Sequence, residues 1–204
     1  MGLYRKYLLP KIIDFGCSQK PAMKQREKVV PLAYGEVLEI GVGSGLNLPY
    51  YHPDKVKQVT GVDPSREMWN QSDENTRKTS LPVSFIQSSA ENLPLESQAF
   101  DSAVVTYTLC TIPELALAFD EIRRVLKPNG KLIFCEHGKA PDLSVARWQN
   151  RLNPIWKKFG GGCNLNRDIP KLIETYGFQI CLLYTSPSPR DGTKDLVCRL
   201  MLEK

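Results

Sequence analysis

The residues of this sequence best spaced for chemistry form a glycine-rich stretch. Gly41, Gly43 and Gly45 alternate with other residues directly after an apolar run that ends at Ile40. Glycine lets the backbone take positive φ angles and approach a ligand closely. Such a turn between a strand and a helix is where α/β folds bind nucleotide-like ligands. A dinucleotide fingerprint, G-x-G-x-x-G, would require glycine in place of Leu46, so the spacing argues against a nicotinamide-dependent oxidoreductase of similar topology.

An acidic residue follows the next predicted strand. Residues 58–62 have the pattern of that strand, and Asp63 comes directly after it, 18 positions beyond Gly45. A carboxylate can accept hydrogen bonds from both hydroxyls of a ribose, and nucleotide-binding βαβ units carry an acid at a similar distance. Pro64 and Ser65 are predicted to begin a helix, with Ser65 as its N-cap. Met68 is predicted to pack against an adenine ring, although methionine at helical spacing is more often ordinary core.

Two further strand ends bring polar residues to the same edge of the predicted sheet. The strand 83–87 precedes Ser89, Ala90 and Glu91. The strand 99–108 places Thr106 and Tyr107 at its C-terminal end. Ligands of open α/β sheets bind outside the carboxyl ends of the strands. These residues are therefore predicted to line the same site as the glycine-rich stretch.

The ordered set of motifs resembles the class I S-adenosylmethionine-dependent methyltransferases with a methyltransferase type 11 core. The resemblance rests on E-x-G-x-G-x-G from Glu39, on residues 89–91, and on D-x-x-V…E-x-x-R-V-L-K-P-x-G between Asp101 and Gly130. It implies S-adenosyl-L-methionine as the cofactor, with Glu39 orienting the glycine stretch near the cofactor's amino group and residues 89–91 reading the adenine edge. The predicted cofactor-binding residues are Glu39, Gly41, Gly43, Gly45, Asn47, Asp63, Pro64, Ser65, Met68, Ser89, Ala90, Glu91, Thr106 and Tyr107.

A narrower resemblance links the chain to the animal alkyl-thiol methyltransferases and their bacterial relatives. It is carried by Leu109-Cys110, Glu136-His137, Trp148-Gln149, Pro154-x-Trp156 and Gly162-Cys163-Asn164-Leu165-x-Arg167. The resemblance implies a small-molecule methyl acceptor, with a thiol favoured and a quinone, phenol or lipid amine as alternatives. A non-catalytic module that binds S-adenosylmethionine is a further alternative.

His137 is the candidate general base. It follows the predicted strand 131–136, and its side chain has a pKa near neutrality. The alternative is a histidine that hydrogen-bonds to local backbone and only shapes the pocket. The substrate-binding candidates are Cys110, Cys163, Asn166 and Arg167. Their alternatives are structural roles for the two cysteines and a surface ion pair of Arg167 with Asp168.

The order of elements predicts a doubly wound, Rossmann-like α/β fold with a mostly parallel seven-stranded sheet and one antiparallel strand. Residues 1–34 are predicted to form a helical lid, with packing on one sheet edge as the alternative. Residues 35–181 are predicted to form the methyltransferase domain. Residues 182–204 are interpreted as a C-terminal tail of doubtful authenticity, because 182–191 resemble a translated sequencing-adapter read. The other predicted strands are 178–184 and 196–202, and the predicted helices are 3–15 with a kink at Pro10, 22–32, 113–126, 145–159 interrupted by Pro154, and 169–176 capped by Asp168.

Composition limits the compartment and the partners. The net charge is +5 over 204 residues, and part of the excess lies in an early basic cluster of Arg5, Lys6, Lys11, Lys20, Lys24, Arg26 and Lys28. This cluster indicates a solvated face or weak association with anionic membrane surfaces. Nucleic acid is not expected as a partner, because no basic run is interleaved with stacking aromatic residues. Six scattered cysteines without a C-x-x-C pair predict a reduced, cytoplasmic chain. Two histidines without ligand-like spacing predict no metal site, and the sequence leaves the oligomeric state open.

Overall fold

The computed structural model describes residues 4–185 and 195–201. Its centre is a parallel sheet in the order β3-β2-β1-β4-β5. These strands are β1 (Gly35–Ile40), β2 (Val56–Asp63), β3 (Val83–Gln87), β4 (Phe100–Thr106) and β5 (Leu126–His137). The strand order reverses between β1 and β4, and in a doubly wound sheet this reversal opens a crevice at the carboxyl ends. The predicted Rossmann-like α/β fold with parallel strands is confirmed.

Two more strands follow β5 in the sheet. β6 (Gln179–Thr185) and β7 (Asp195–Met201) complete the order β5-β7-β6, and β7 runs antiparallel to both of its neighbours. β7 covers most of the predicted strand 196–202. The remainder of the predicted tail, residues 186–194 and 202–204, lies outside the described residues.

The strands are buried on both faces because apolar side chains occupy successive positions. Val37 and Val104 pack into one core with Ile133, whereas Leu38 and Val105 pack into the opposite core. Side chains of successive strand residues point to opposite faces, so an uninterrupted apolar run requires a cover on each side.

The helices at 115–125 and 169–175 pack into the core that contains Leu38, and the helix at 20–29 packs into the core that contains Val37. The described residues contain seven α-helices. They are α1 (Leu9–Cys17), α2 (Lys20–Val29), α3 (Arg66–Trp69), α4 (Asp73–Thr76), α5 (Leu115–Val125), α6 (Leu143–Phe159) and α7 (Ile169–Thr175). α5 begins two residues later than predicted, which leaves Pro113 outside its first turn. α6 runs through Pro154 without the predicted interruption, and Asp168 caps α7 as predicted. No helix among the described residues has the length and apolarity required to cross a bilayer.

The segment after β1 differs from the sequence prediction. The glycine stretch was expected to open a helix, but only a 3-10 turn, Leu48–Tyr50, precedes β2. Pro49 and Pro53 lack the amide hydrogen that a continuing helix would use, and a proline ring collides with the preceding turn. This crossover therefore contains no regular α-helix.

The N-terminal segment packs along the carboxyl side of the sheet. A π-helical turn, Tyr4–Leu8, continues into α1, and the change of helix type falls next to Pro10, where a kink was predicted. The Tyr4 hydroxyl donates to the Phe159 carbonyl of α6 over 2.8 Å. The N-terminal segment and α6 thus meet at one surface of the molecule.

That surface is unusually apolar, and we name it the α1–α6 face. Its exposed members are Tyr7, Leu8, Ile12, Phe15, Trp148, Leu152, Ile155, Trp156 and Phe159. Phe15 is 70% exposed, Trp148 60% and Phe159 63%. Lys11, Arg147, Arg151 and Lys158 on the same two helices are also exposed. Side chains of this size are seldom clustered on a surface without a binding role.

Candidate cofactor and acceptor site

The glycine stretch adopts the backbone conformation that its residues allow. Gly41, Gly43 and Gly45 have φ angles of +72°, +52° and +75°. A Cβ atom on Gly41 would collide with the Thr108 side chain, whereas the nearest neighbours of one on Gly43 would be the Met68 methyl carbon at 3.4 Å and the Gly41 carbonyl oxygen at 3.9 Å, both at ordinary contact distance. Gly43 therefore leaves open the space in which a ligand would approach the backbone.

Asp63 lies at the end of β2 beside this loop. Its Oδ2 accepts from the Gly43 amide over 3.0 Å, and its Oδ1 accepts from the Ser65 amide over 2.8 Å. Burial raises the pKa of the carboxyl, and the two backbone donors oppose that change. Each oxygen keeps a second lone pair for a ligand hydroxyl. Ser65 caps α3 as predicted, since its Oγ accepts from the Met68 amide over 3.2 Å.

Glu39 lies behind the loop and not in the cavity wall. Its Oε1 accepts from Asn47 Nδ2 over 2.9 Å, and its Oε2 accepts from the Tyr51 hydroxyl over 2.7 Å. Asn47 Nδ2 also donates to Thr106 Oγ1 over 3.0 Å. Glu39 and Asn47 are both buried, so the hydrogen bond between their side chains supports the shape of the glycine-rich loop. Asn47 and Gly45 also lie outside the cavity wall. Cofactor binding by Glu39, Asn47 and Gly45 therefore stays a prediction.

Replacing Glu39 by glutamine is expected to change the pH dependence of stability. Burial raises the Glu39 pKa from its usual 4.5 to about 7, against the opposing hydrogen bonds from Tyr51 and Asn47. Between these values the folded state holds a proton that the unfolded state has lost, so stability falls as pH rises, by roughly 3 kcal/mol for this group. Urea unfolding at pH 5 and 7.5 should show a smaller fall for Glu39→Gln than for the unaltered protein. The exposed Glu67→Gln variant should keep the original fall, and an equal fall in Glu39→Gln would contradict the assignment.

A cavity of about 680 Å³ lies over the carboxyl ends of the central strands. Its volume is within the range of about 300–1,000 Å³ typical of small-molecule sites. The predicted residues that line it are Gly41, Gly43, Asp63, Pro64, Ser65, Met68, Ser89, Ala90, Glu91, Thr106 and Tyr107. Met68 is also 91% buried, so it belongs both to the wall and to the packed interior. The structure thus brings together most of the residues that the motifs predicted.

Three wall residues with polar side chains come from the N-terminal helices and were missed by sequence reasoning. They are Asp14, Cys17 and Arg26. Arg26 is only 4% exposed and donates from Nη1 to Asn47 Oδ1 over 2.7 Å and to Thr106 Oγ1 over 2.5 Å. Asp14 accepts from the Ser44 hydroxyl of the glycine stretch. The sequence placed Arg26 in a solvated basic cluster, and no motif distinguished it from its neighbours.

The acceptor candidates lie beside the cavity but are not part of its wall. His137 Nε2 is 3.1 Å from Cys163 Sγ, and Cys110 lies next to both. A hydrogen bond from Cys110 and the neighbouring His137 lower the pKa of the Cys163 thiol. The role of His137 as general base therefore stays a prediction, because its ring contacts a sulfur and does not border the cavity.

Arg167 and Asn166 hold loops together. Arg167 donates to the Leu109 carbonyl and, over 2.8 Å, to the Ile112 carbonyl. Asn166 Nδ2 donates to Asn150 Oδ1 over 2.8 Å. The contacts of Arg167 differ from the surface ion pair with Asp168 that was the sequence alternative. Direct substrate binding by these two side chains stays a prediction.

Residues 38–134 match the family model described as "Methyltransferase domain". The chain is 36% identical over 158 residues to "Thiol S-methyltransferase TMT1B" of Rattus norvegicus, covering 75% of this chain and 64% of that protein. It is 31% identical over 197 residues to the human protein of the same name, covering 91% of this chain and 80% of that protein. "Phosphatidylethanolamine N-methyltransferase" of Cereibacter sphaeroides is 33% identical over 159 residues, covering 72% of this chain and 77% of that protein.

The fold is shared with a crystal structure of a SAM-dependent methyltransferase from Aquifex aeolicus. The TM-score is 0.69 at 20% identity, with 95% of this chain and 98% of that chain covered. Together, the sheet, the glycine stretch and the acid after β2 define an α/β domain with a nucleoside-binding crevice. The sequence matches identify the family in addition to the fold: this chain belongs to the S-adenosylmethionine-dependent methyltransferases.

The residues of the cavity fit the cofactor of this family. Gly43 would admit the ligand at the loop, and Asp63 would accept from the ribose hydroxyls. Arg26 would bind the carboxylate of the methionine part, since its buried Nε has no hydrogen-bond partner among the described residues. Ser89, Ala90 and Glu91 line the part of the wall predicted to face the adenine.

Proposed function

We propose that this protein transfers the methyl group of S-adenosylmethionine to a small-molecule thiol. The observation that carries the proposal is that one continuous cavity is lined both by the residues predicted to bind the nucleoside, such as Asp63 and Ser89, and by a group of apolar side chains. Leu9 and Ile13 of α1, together with Ile112, supply apolar surface to the cavity. An apolar thiol bound there would lie next to the cofactor. The relatives named as thiol methyltransferases support this acceptor.

The proposed chemistry requires positioning above all. The bound cofactor supplies an electrophilic methyl group on a sulfonium, and an in-line displacement needs the acceptor about 3–3.5 Å away. Holding both reactants in this way can supply about 7–11 kcal/mol. The nucleophile is the thiolate, which forms when the thiol releases its proton to solvent and which is intrinsically strongly nucleophilic, so a thiol depends less on a well-placed base in the wall than a phenol or an amine does. This suits a cavity whose wall, within the described residues, contains no histidine.

A screen of acceptors tests the proposal. Purified protein with S-adenosylmethionine is offered alkyl thiols, phenols and amines of matched apolar size, and S-adenosylhomocysteine release is measured. We expect release with alkyl thiols at least tenfold faster than with the matched phenols and amines. Binding of the cofactor by calorimetry without turnover of any acceptor would instead favour the non-catalytic module, and turnover restricted to amines or phenols would contradict the thiol.

A lipid-dissolved quinone or lipid amine is the second candidate acceptor. The α1–α6 face favours it, because α1 contributes both to this exposed apolar surface and to the cavity wall. The similarity to the phosphatidylethanolamine methyltransferase is a further support. In the screen, acceptors presented in vesicles separate this candidate from soluble thiols.

We also propose that a cytoplasmic form of the protein binds reversibly to anionic membrane surfaces through the α1–α6 face. Exposed tryptophan and phenylalanine side chains with flanking lysine and arginine are the features of helices that lie in a bilayer interface. Exposed Trp148 and Phe159 would enter the interface while Arg147 and Lys158 face the lipid headgroups.

The double variant Trp148→Ser, Ile155→Ser is expected to bind anionic vesicles at least about 100-fold more weakly, since burial of each of the two large apolar side chains contributes about 1.5–3 kcal/mol. Sedimentation with phosphatidylglycerol vesicles at low salt measures the effect. The control is Leu117→Ser, which removes an exposed leucine of α5. Equal sedimentation of all three proteins, or none by the unaltered protein, would contradict the membrane proposal.

For the fold, we propose that the native sheet is the predicted seven-stranded one with a single antiparallel strand. The pairings of β7 with β5 and with β6 support this arrangement.

A further inference from the structure

Three potential metal ligands converge beside the cavity from distant parts of the chain. Cys110 follows β4, His137 ends β5, and Cys163 lies in the glycine-rich loop after α6. Their ligand atoms all lie within 4.8 Å of one another, and His137 Nε2 is 3.1 Å from Cys163 Sγ. The sequence prediction of no metal site considered spacing along the chain, which cannot reveal this convergence.

The separations suit a tetrahedral zinc ion. Zinc binds sulfur at about 2.3 Å and imidazole nitrogen at about 2.0–2.1 Å, which places tetrahedral ligands about 3.6–3.8 Å apart. The observed separations of 3.1 Å and of at most 4.8 Å are within roughly 1 Å of those values. Shifts of that size require only small side-chain movements. Two thiolates and one imidazole are also ligands that zinc prefers over magnesium or calcium.

Neighbouring side chains hold the ligand-bearing loops in place. Asn164 donates to the Cys110 carbonyl from its amide and from Nδ2, each over 2.9 Å. Arg167 joins the same two segments by donating to the Leu109 and Ile112 carbonyls. The loops that carry Cys110 and Cys163 are therefore fixed to each other by contacts that do not use the sulfurs.

Two charged groups lie near the three ligands: the Arg167 guanidinium, which interacts with both cysteines, and the buried carboxyl group of Glu136. Glu136 is fully buried next to His137, and its Oε1 accepts from the Thr108 and Leu109 amides over 2.6 and 2.8 Å. Its Oε2 has no hydrogen-bond partner among the described residues. A buried carboxylate with an unpaired oxygen is costly unless positive charge lies nearby.

We propose that Cys110, His137 and Cys163 bind one zinc ion that joins the turn after β4, the end of β5 and the loop after α6. Three protein ligands leave the fourth tetrahedral position for water or another small ligand. The site is distinct from the cofactor-binding wall, so the proposal does not depend on the identity of the methyl acceptor.

Metal content and cobalt spectroscopy test the proposal on the full chain. The protein is purified with a non-thiol reductant, and its zinc is measured by elemental analysis after a short chelator wash. The zinc-free protein is then titrated with Co²⁺. We expect one zinc per chain, and a thiolate-to-cobalt charge-transfer band with the visible bands of tetrahedral cobalt that saturates at one equivalent.

The variants Cys110→Ser, His137→Gln and Cys163→Ser should each lose the bound zinc and the tetrahedral cobalt spectrum. Cys135→Ala and His52→Gln are matched controls, since they remove a cysteine and a histidine outside the cluster, and they should keep both. Circular dichroism verifies that each variant is folded, and the result for the unaltered protein holds even if a variant does not fold. Zinc-free protein that binds no cobalt, or a cobalt spectrum retained in all three variants, would overturn the proposal.

Discussion

Replacing Asp63 by asparagine is expected to weaken S-adenosylmethionine binding by about 100-fold. Hydrogen bonds to a charged group contribute about 1.5–3 kcal/mol each, and the amide nitrogen of asparagine can no longer accept from one of the ribose hydroxyls. That nitrogen would also face either the Gly43 or the Ser65 amide, both of which now donate to the carboxylate. A loss of about 3 kcal/mol corresponds to about a 100-fold rise in Kd. Isothermal calorimetry at fixed pH measures the change.

The matched control is Asp54→Asn, which removes the same charge from an exposed position. It should bind the cofactor as the unaltered protein does. Adenosine shares the ribose but not the methionine part, so its affinity should fall by a similar factor in Asp63→Asn. If folded Asp63→Asn bound the cofactor within threefold of the original affinity, Asp63 would not be the ribose acceptor.

Replacing Gly43 by alanine is expected to weaken cofactor binding by about 10- to 100-fold while the protein stays folded. The added methyl group would enter the cavity, since the Met68 methyl carbon is its nearest side-chain neighbour, at 3.4 Å. It would therefore occupy space that the cofactor needs, and overpacking of this kind costs about 1–3 kcal/mol. Calorimetry with S-adenosylmethionine measures the loss of affinity.

The Gly43→Ala variant also strains the backbone, and a control variant must separate this strain from the steric effect on cofactor binding. Gly43 has φ of +52°, where alanine costs about 1–2 kcal/mol. Gly177→Ala is the matched control because Gly177 has φ of +82° and lies after α7, away from the cavity. Both variants should lose similar stability in urea, but only Gly43→Ala should lose affinity. Equal affinity in the two variants would mean that the ligand does not approach Gly43.

Much of the cofactor site was predictable because it is local. The stretch from Gly41 to Gly45 and the acid at Asp63 sit at strand ends that the apolar pattern locates, and the parallel sheet brings those ends together. Ser89 to Glu91 and Thr106 follow the same logic, and all of them reach the cavity wall apart from Gly45.

The rest of the site depends on contacts between distant segments, which single-sequence reasoning cannot provide. Arg26 looked like one more surface cation, yet it lies buried against Asn47 and Thr106. His137 looked like a base because of its residue type, whereas its actual neighbour is Cys163, 26 positions away. The helix expected after Gly45 failed for a local reason, the two prolines that follow, and this shows that glycine spacing alone does not specify the element after a turn.

That absent helix has a consequence for ligand charge. The N-terminus of a regular helix presents partial positive charge and free amides, which attract phosphates. Here the chain after Gly45 enters only the 3-10 turn Leu48–Tyr50. Without that macrodipole at the loop after β1, a ligand with a pyrophosphate loses its usual anchor there, and a positively charged sulfur meets less repulsion. We therefore expect this crossover to favour the binding of onium nucleosides over nucleotides.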